Sequence, residues 1–140
     1  MVAIKPKSIL LIDDDKTTNF LNQLFIKQIG YDLKVNVVTN GEEAIDFLSN
    51  DELYNDEGSP FTPCLILLDT NMPIMDGWGF LAAFEEKFDQ RIKDDIVIVM
   101  TSALNSQDEI AKALSDPNVK CCTQKPLSDI KIKKLIDDYF

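Results

Sequence analysis

The segment Cys64-Leu65-Ile66-Leu67-Leu68-Asp69-Thr70-Asn71-Met72-Pro73-Ile74-Met75-Asp76-Gly77-Trp78 carries four consecutive branched apolar residues and then breaks off at a carboxylate. Such a run fits a strand buried on both faces, and the Pro- and Gly-containing turn after Asp69 ends it. In an open parallel sheet, ligands bind in the crevice beyond the carboxyl ends of the strands, which is where Asp69 stands. Taken alone, Asp69 serves equally well as the cap of the next helix, so the other strands have to decide.

Toward the N-terminus, Ser8 to Ile12 is a short apolar run that ends in three acids, Asp13, Asp14 and Asp15. Phe20, Leu21, Leu24, Phe25 and Ile29 then recur at helical spacing, and Gly30 stops that helix. Residues 33 to 38 alternate and then run apolar, as a strand near a sheet edge does. Asn40 with Glu43 resembles a capping box, and Ala44, Ile45 and Leu48 give the following helix its buried face. Ser49 to Pro63, with four acids, Gly58 and Pro60 around Leu53, Tyr54 and Phe61, reads as a helix tail and a long solvated surface loop.

Toward the C-terminus, Gly77, Leu81, Phe84 and Phe88 predict a helix over residues 76 to 88 capped by Asp76, with Trp78 and Phe80 as core and flank. Ile96 to Met100 is a second strongly apolar strand, ending at Thr101-Ser102. Ser106 with Glu109 forms a capping box that opens a fourth helix carrying Ile110, Ala113 and Leu114, broken by Asp116-Pro117-Asn118. Val119 to Thr123 is a fifth strand, ended by Gln124-Lys125-Pro126. Ser128 opens a fifth helix with Ile132, Leu135, Ile136 and Tyr139 on one face. Strand and helix alternate five times, which predicts an α/β sandwich with a parallel sheet and all strand ends on one edge.

The 140 residues make one domain, and 45% hydrophobic with 27% charged residues is ordinary for a globular protein. No apolar run approaches a membrane span, and residues 1 to 12 lack a secretory signal, so membrane insertion is not expected and a cytoplasmic location is. A net charge of −10 opposes nucleic-acid binding, and Lys125, Lys131, Lys133 and Lys134 are interleaved with Asp129, Asp137 and Asp138 as on a solvated helix face. Cys121 and Cys122 are adjacent in a strand and point to opposite faces, so the three cysteines read as reduced core residues. The chain has no histidine, which removes imidazole acid–base catalysis, imidazole ligation and any phosphohistidine of its own.

Collected at the strand ends are Asp13 and Asp14, Asp69, Thr101 with Ser102, and Lys125. Clustered carboxylates need a cation or raised pKa values, and hard oxygen ligands in this number suit Mg²⁺, with Ca²⁺ a weaker second choice. An ammonium and a hydroxyl beside them, at Lys125 and Thr101, suit phosphoryl transfer to Asp69 with formation of an aspartyl phosphate.

Leu10-Leu11-Ile12-Asp13-Asp14-Asp15, Leu67 to Gly77, Val99-Met100-Thr101-Ser102 and Gln124-Lys125-Pro126 together resemble the response-regulator receiver domain of two-component signalling. The resemblance implies a flavodoxin-like (βα)5 fold with strand order 2-1-3-4-5 and Asp69 as phosphoacceptor. It implies a histidine kinase or histidine phosphotransfer protein as donor. It further implies Mg²⁺, replaceable by Mn²⁺ or Ca²⁺, on Asp14, Asp69 and the backbone carbonyl of Asn71, with Asp13 acting through water. Thr101 and Lys125 would bind the phosphoryl group together with the backbone at Thr70 and Ser102, and a cis peptide would join Lys125 to Pro126. The output surface would be the fourth helix, fifth strand and fifth helix, touching another protein or passing phosphate onward.

Two positions depart from the family pattern: Cys122 stands where a switch aromatic is usual, and Leu127 follows Pro126 in place of a frequent Phe. A switch with little change at the fifth strand and a rearrangement of residues 101 to 106 is therefore expected. Residues 1 to 140 are expected to form a single receiver without an output domain, monomeric or weakly dimeric, catalysing only its own phosphorylation and dephosphorylation. The rivals are a docking module that takes no phosphate and a haloacid-dehalogenase-like phosphatase. The latter requires a second Asp where this chain has Asn71.

Overall fold

β1 (Ser8–Ile12) and β3 (Cys64–Asp69) are buried at every position, so each needs strand neighbours on both edges and helices on both faces. The computed structural model, which describes residues 6–54, 61–103 and 106–140, provides them. β1 pairs with β3 and with β2 (Lys34–Val38); β3 pairs with β4 (Ile96–Ser102), and β4 with β5 (Val119–Gln124). All pairs are parallel, and the order β2-β1-β3-β4-β5 agrees with the resemblance. Register sets Ile12 opposite Leu68 and Asp69 opposite Thr101, so the polar strand ends meet at one edge.

The helices are α1 (Lys16–Ile29), α2 (Gly41–Leu48), α3 (Gly77–Lys87), α4 (Gln90–Asp94), α5 (Gln107–Leu114) and α6 (Asp129–Tyr139). α4 is not predicted from the sequence, because five residues with Ile92 as their one apolar member carry no periodicity. The predicted fourth and fifth helices are therefore α5 and α6. Alternate strand residues feed two cores. Leu10, Ile12, Ile66, Leu68 and Met100 pack with α2, α3 and α5, and Ile9, Leu11, Leu65 and Val99 pack with α1 and α6. Cys122 joins the first and Cys121 the second, and the three thiols are free. Among the described residues, no helix is long and apolar enough to cross a membrane.

Each helix starts on a side-chain cap. Asp15, Asn40, Asp76, Asp89, Ser106 and Ser128 each accept from the amide three residues on, a contact worth about 1 kcal/mol. The third acid after β1 is thus accounted for as the cap of α1.

One helix is turned in a way its spacing did not specify, and one sequence expectation is corrected. The five apolar residues that mark α1 do not share one buried face: Phe20 is 62% exposed, and Leu21 and Leu24 are also exposed. Asn19, Asn22 and Ile26 are the buried positions, because the Asn19 amide donates to the Asp13 carbonyl at 2.8 Å and so sets the helix rotation. Likewise, Ser49–Pro63 is not simply a solvated connection. Asp51–Leu53 form a 3₁₀ turn, and Phe61 is 2% exposed, packed edge-on against Phe47 and Tyr54. Gly58 and Pro60 of that expectation, and residues 104 and 105 of the expected 101–106 rearrangement, lie outside the described residues.

Ile74, between β3 and α3, has φ 70° and is 79% exposed. A β-branched residue in left-handed backbone costs about 1–2 kcal/mol, and this side chain recovers little by burial. Ile74→Asn is expected to raise stability by about 1 kcal/mol, or roughly 4 °C in thermal melting. A fall in Tm would show instead that the isoleucine side chain holds the turn.

Candidate functional site

The site begins where β1 ends. The Asp13 amide donates to the Val38 carbonyl at 3.1 Å, prolonging the β1–β2 pairing by one residue. Its carboxylate is held from two sides, accepting the Asp15 amide at 2.9 Å on Oδ1 and the Lys125 ammonium at 2.7 Å on Oδ2. Asp14, in the bend just after β1, is exposed.

Asp69, the last residue of β3, is buried, and its Oδ1 lies 3.1 Å from Lys125 Nζ. Carboxylate oxygens of Asp13, Asp14 and Asp69 all lie within 4.8 Å of one another. Burial pushes the Asp69 carboxyl up, the Asp13 charge adds to this, and the Lys125 ammonium with the Asn71 amide opposes it. For Lys125, burial works to lower the pKa, but hydrogen bonds and charge from Asp13 and then Asp69 outweigh it, and the ammonium is held above its ordinary range. Three acids against one ammonium leave the cluster short of positive charge.

Lys125 arrives at the end of β5, where its amide donates to the Ser102 carbonyl at 2.8 Å and its bond to Pro126 is cis. Thr101 is buried beside Asp69, and its hydroxyl reaches the Leu68 carbonyl at 3.4 Å, a long and weak contact. Thr70, Asn71 and Ser102 line, with Asp69 and Lys125, an open cleft of about 410 Å³. The predicted residues Asp13, Asp14, Asp69, Asn71, Thr70, Thr101, Ser102 and Lys125 therefore converge. Cys122 does not: it is registered with Met100, one residue before the Thr101 pair, and packs into the α2–α3–α5 core.

Two cleft residues escaped the sequence reading, Trp78 and Glu109, which line it from α3 and α5. Nor did the sequence show how closely α3 approaches Asp69: a Cβ on Gly77 would lie 2.4 Å from the Asp69 carbonyl oxygen. The signals present were the Asp76-Gly77 turn and the Ser106/Glu109 pair, which were read as caps only. Asn19, which ties α1 to the Asp13 carbonyl, is a polar residue that a hydrophobic period does not mark.

Comparison with known proteins extends these observations. Residues 9–137 match the family model described as the response regulator receiver domain. The chain is 31% identical to the two-component response regulator ARR22 of Arabidopsis thaliana over 141 residues, covering 99% of this chain and 89% of that one. It is 34% identical to the response regulator Rcp1 of Synechocystis over 125 residues, covering 89% and 82%. A crystal structure of a two-component response regulator from Cytophaga hutchinsonii superposes with a TM-score of 0.80 at 32% identity, covering 96% and 97%. The Mn²⁺-bound form of Rcp1 superposes with a TM-score of 0.70 at 28% identity, covering 95% and 91%.

Proposed function

Because this chain belongs to the response-regulator receiver family, we propose that it signals by accepting a phosphoryl group on Asp69. The observation that carries the reading is the Lys125 ammonium, bonded at once to Asp13 and Asp69 within a cluster of three carboxylates. An Asp69 oxygen attacks phosphorus, the bond from phosphorus to the donor nitrogen breaks, and its electron pair leaves with the imidazole of a histidine kinase or histidine phosphotransfer protein. Lys125 then has phosphoryl oxygens as well as carboxylates to pair with. The loosely bonded Thr101 hydroxyl can turn to the same group, joined by the backbone amides around Thr70 and Ser102.

The donor set fits a divalent cation: three hard carboxylates, with their oxygens within 4.8 Å of one another, face one ammonium. Asp14, Asp69 and the Asn71 carbonyl would hold Mg²⁺, with Asp13 behind them, and the Mn²⁺ in the related Rcp1 structure supports this choice. When bound, the metal neutralises charge on the transferred phosphoryl oxygens. The exposed Phe20, Leu21 and Leu24 of α1, the helix that begins just after Asp13–Asp15, offer the donor an apolar docking face beside the cleft. The surface of α5, β5 and α6 would present the resulting change to a protein partner.

Intact mass after incubation with Mg²⁺ and a small phosphoramidate or acyl phosphate tests the assignment. The native protein should gain one phosphoryl group, whereas Asp69→Asn, and native protein with the metal chelated, should gain none. Equal gain in Asp69→Asn would move the acceptor elsewhere, and folded native protein that gains nothing would remove the reading.

A further inference from the structure

The capping box that opens α5 is closed on one side only. Ser106 accepts the Glu109 amide as an N-cap does. The Glu109 carboxylate, however, leaves its own helix and accepts the Ser102 hydroxyl at 2.8 Å, at the end of β4. The corresponding acid of α2 behaves differently: the Glu43 carboxylate stays at its helix start, accepting from Thr39 and Asn40. Ser102 follows Thr101 on β4 and is buried, its carbonyl holds the Lys125 amide, and both Ser102 and Glu109 line the cleft with Asp69.

A second tie runs from the same helix. Lys112, three residues after Glu109, stands 4.3 Å above the ring of Trp78 on α3, and Trp78 lines the same cleft. Thus α5 is fastened at two points to the walls of one cleft, by Glu109 to β4 and by Lys112 to α3. Cys122 lies close to this arrangement. Its thiol is pushed up mainly by burial, and the charges of Cys121 and Glu109 add to that.

We propose that Glu109 is a positioning residue of the resting state, holding Ser102 and α5 in an arrangement that phosphorylation of Asp69 displaces. The proposal rests on the phosphoacceptor reading above. An aspartyl phosphate carries about −1.5 to −2 charges where the Asp69 carboxylate carried −1, and its oxygens reach further into the cleft that Glu109 already lines. The Ser102 hydroxyl then has two anionic acceptors within its range, and the more highly charged one competes for its proton. Loss of that donor leaves the Glu109 carboxylate facing a like charge, which drives the start of α5 away and draws Lys112 off Trp78. No aromatic side chain at position 122 is required. A contact made only in the resting state opposes phosphorylation by as much as it stabilises that state, so removing it favours the phosphorylated form.

The test is titration with fluoroberyllate and Mg²⁺, a phosphoryl analogue, read by the emission of Trp78, which is the only tryptophan in the chain. Glu109→Ala is expected to bind the analogue about fivefold more tightly than native protein, with Glu109→Gln in between. Part of the emission change should already be present in Glu109→Ala before ligand. In a Ser102→Ala background, the effect of Glu109→Ala should be clearly diminished, an interdependence that independent structural roles would not give. Native affinity in Glu109→Ala, or an undiminished effect in the Ser102→Ala background, would overturn the proposal while intact mass still showed a working phosphoacceptor. Failure of native protein to bind the analogue or gain phosphoryl mass would overturn both readings together.

Discussion

Lys125→Met is expected to slow phosphorylation of Asp69 by small donors by about two orders of magnitude, measured as the rate of mass gain at saturating Mg²⁺. The charge that develops on phosphoryl oxygens is met in the native cleft by an ammonium already in place, 2.7 Å from Asp13 and 3.1 Å from Asp69. Removing one pre-positioned donor from such a site typically costs 10²- to 10³-fold, because water reorganises poorly in its stead. Methionine keeps the apolar stem of the lysine but no charge. The same substitution leaves the buried carboxylates of Asp13 and Asp69 without their shared cation, so the metal-free protein should also melt lower. The melting deficit should shrink on adding Mg²⁺, since a bound divalent cation restores the missing positive charge. A rate within threefold of native would mean that Lys125 serves structure and not transfer.

Among the described glycines, Gly77→Ala should be the most damaging substitution. A methyl there would sit 2.4 Å from the Asp69 carbonyl oxygen and 3.0 Å from the Thr70 Cα, both main-chain atoms with no rotamer to yield. The Gly77 amide also donates to the Thr70 carbonyl at 3.2 Å, so α3 cannot back away without opening that contact. Overpacking of this kind costs about 3 kcal/mol, which corresponds to roughly 10 °C in Tm for a domain of this size. Relief through movement of the Asp69 backbone would displace the acceptor, so affinity for Mg²⁺ should fall along with stability. Calorimetry with and without the metal separates the two effects. A normal Tm with normal metal affinity would show that the close approach yields at no cost.

The contrast between the strands and α1 shows what a one-dimensional pattern can carry. Leu65 to Leu68 and Ile96 to Met100 are apolar on both faces because they are covered on both faces, and no other environment suits such runs. Acids directly after apolar runs, Asp13 after Ile9 to Ile12 and Asp69 after Leu65 to Leu68, stand out because the run before each is so uniformly apolar. For α1 the apolar residues spread around the helix, and its rotation depends on Asn19 meeting the Asp13 carbonyl. A buried asparagine is silent in a hydrophobic period, so helical spacing did not show that Phe20, Leu21 and Leu24 face outward. Phe61 was hidden the opposite way, as an apolar residue set among Gly, Pro and acids whose ring is nonetheless buried.

Residue order alone determined which segments are strands, where the helices capped by Asn40, Asp76, Ser106 and Ser128 start, which acids, hydroxyl and lysine stand at strand ends, and, through those motifs, the family. Each of these is a local matter of backbone preference, solvation and side-chain chemistry within a few residues. The tertiary structure decided which groups meet: Lys125 with Asp13 across 112 residues of chain, the Glu109 carboxylate with the Ser102 hydroxyl, and Lys112 with Trp78. A period specifies a face but neither the rotation of a helix against its sheet nor the partner of a long charged side chain. Those depend on packing and on electrostatic competition among groups far apart in the chain.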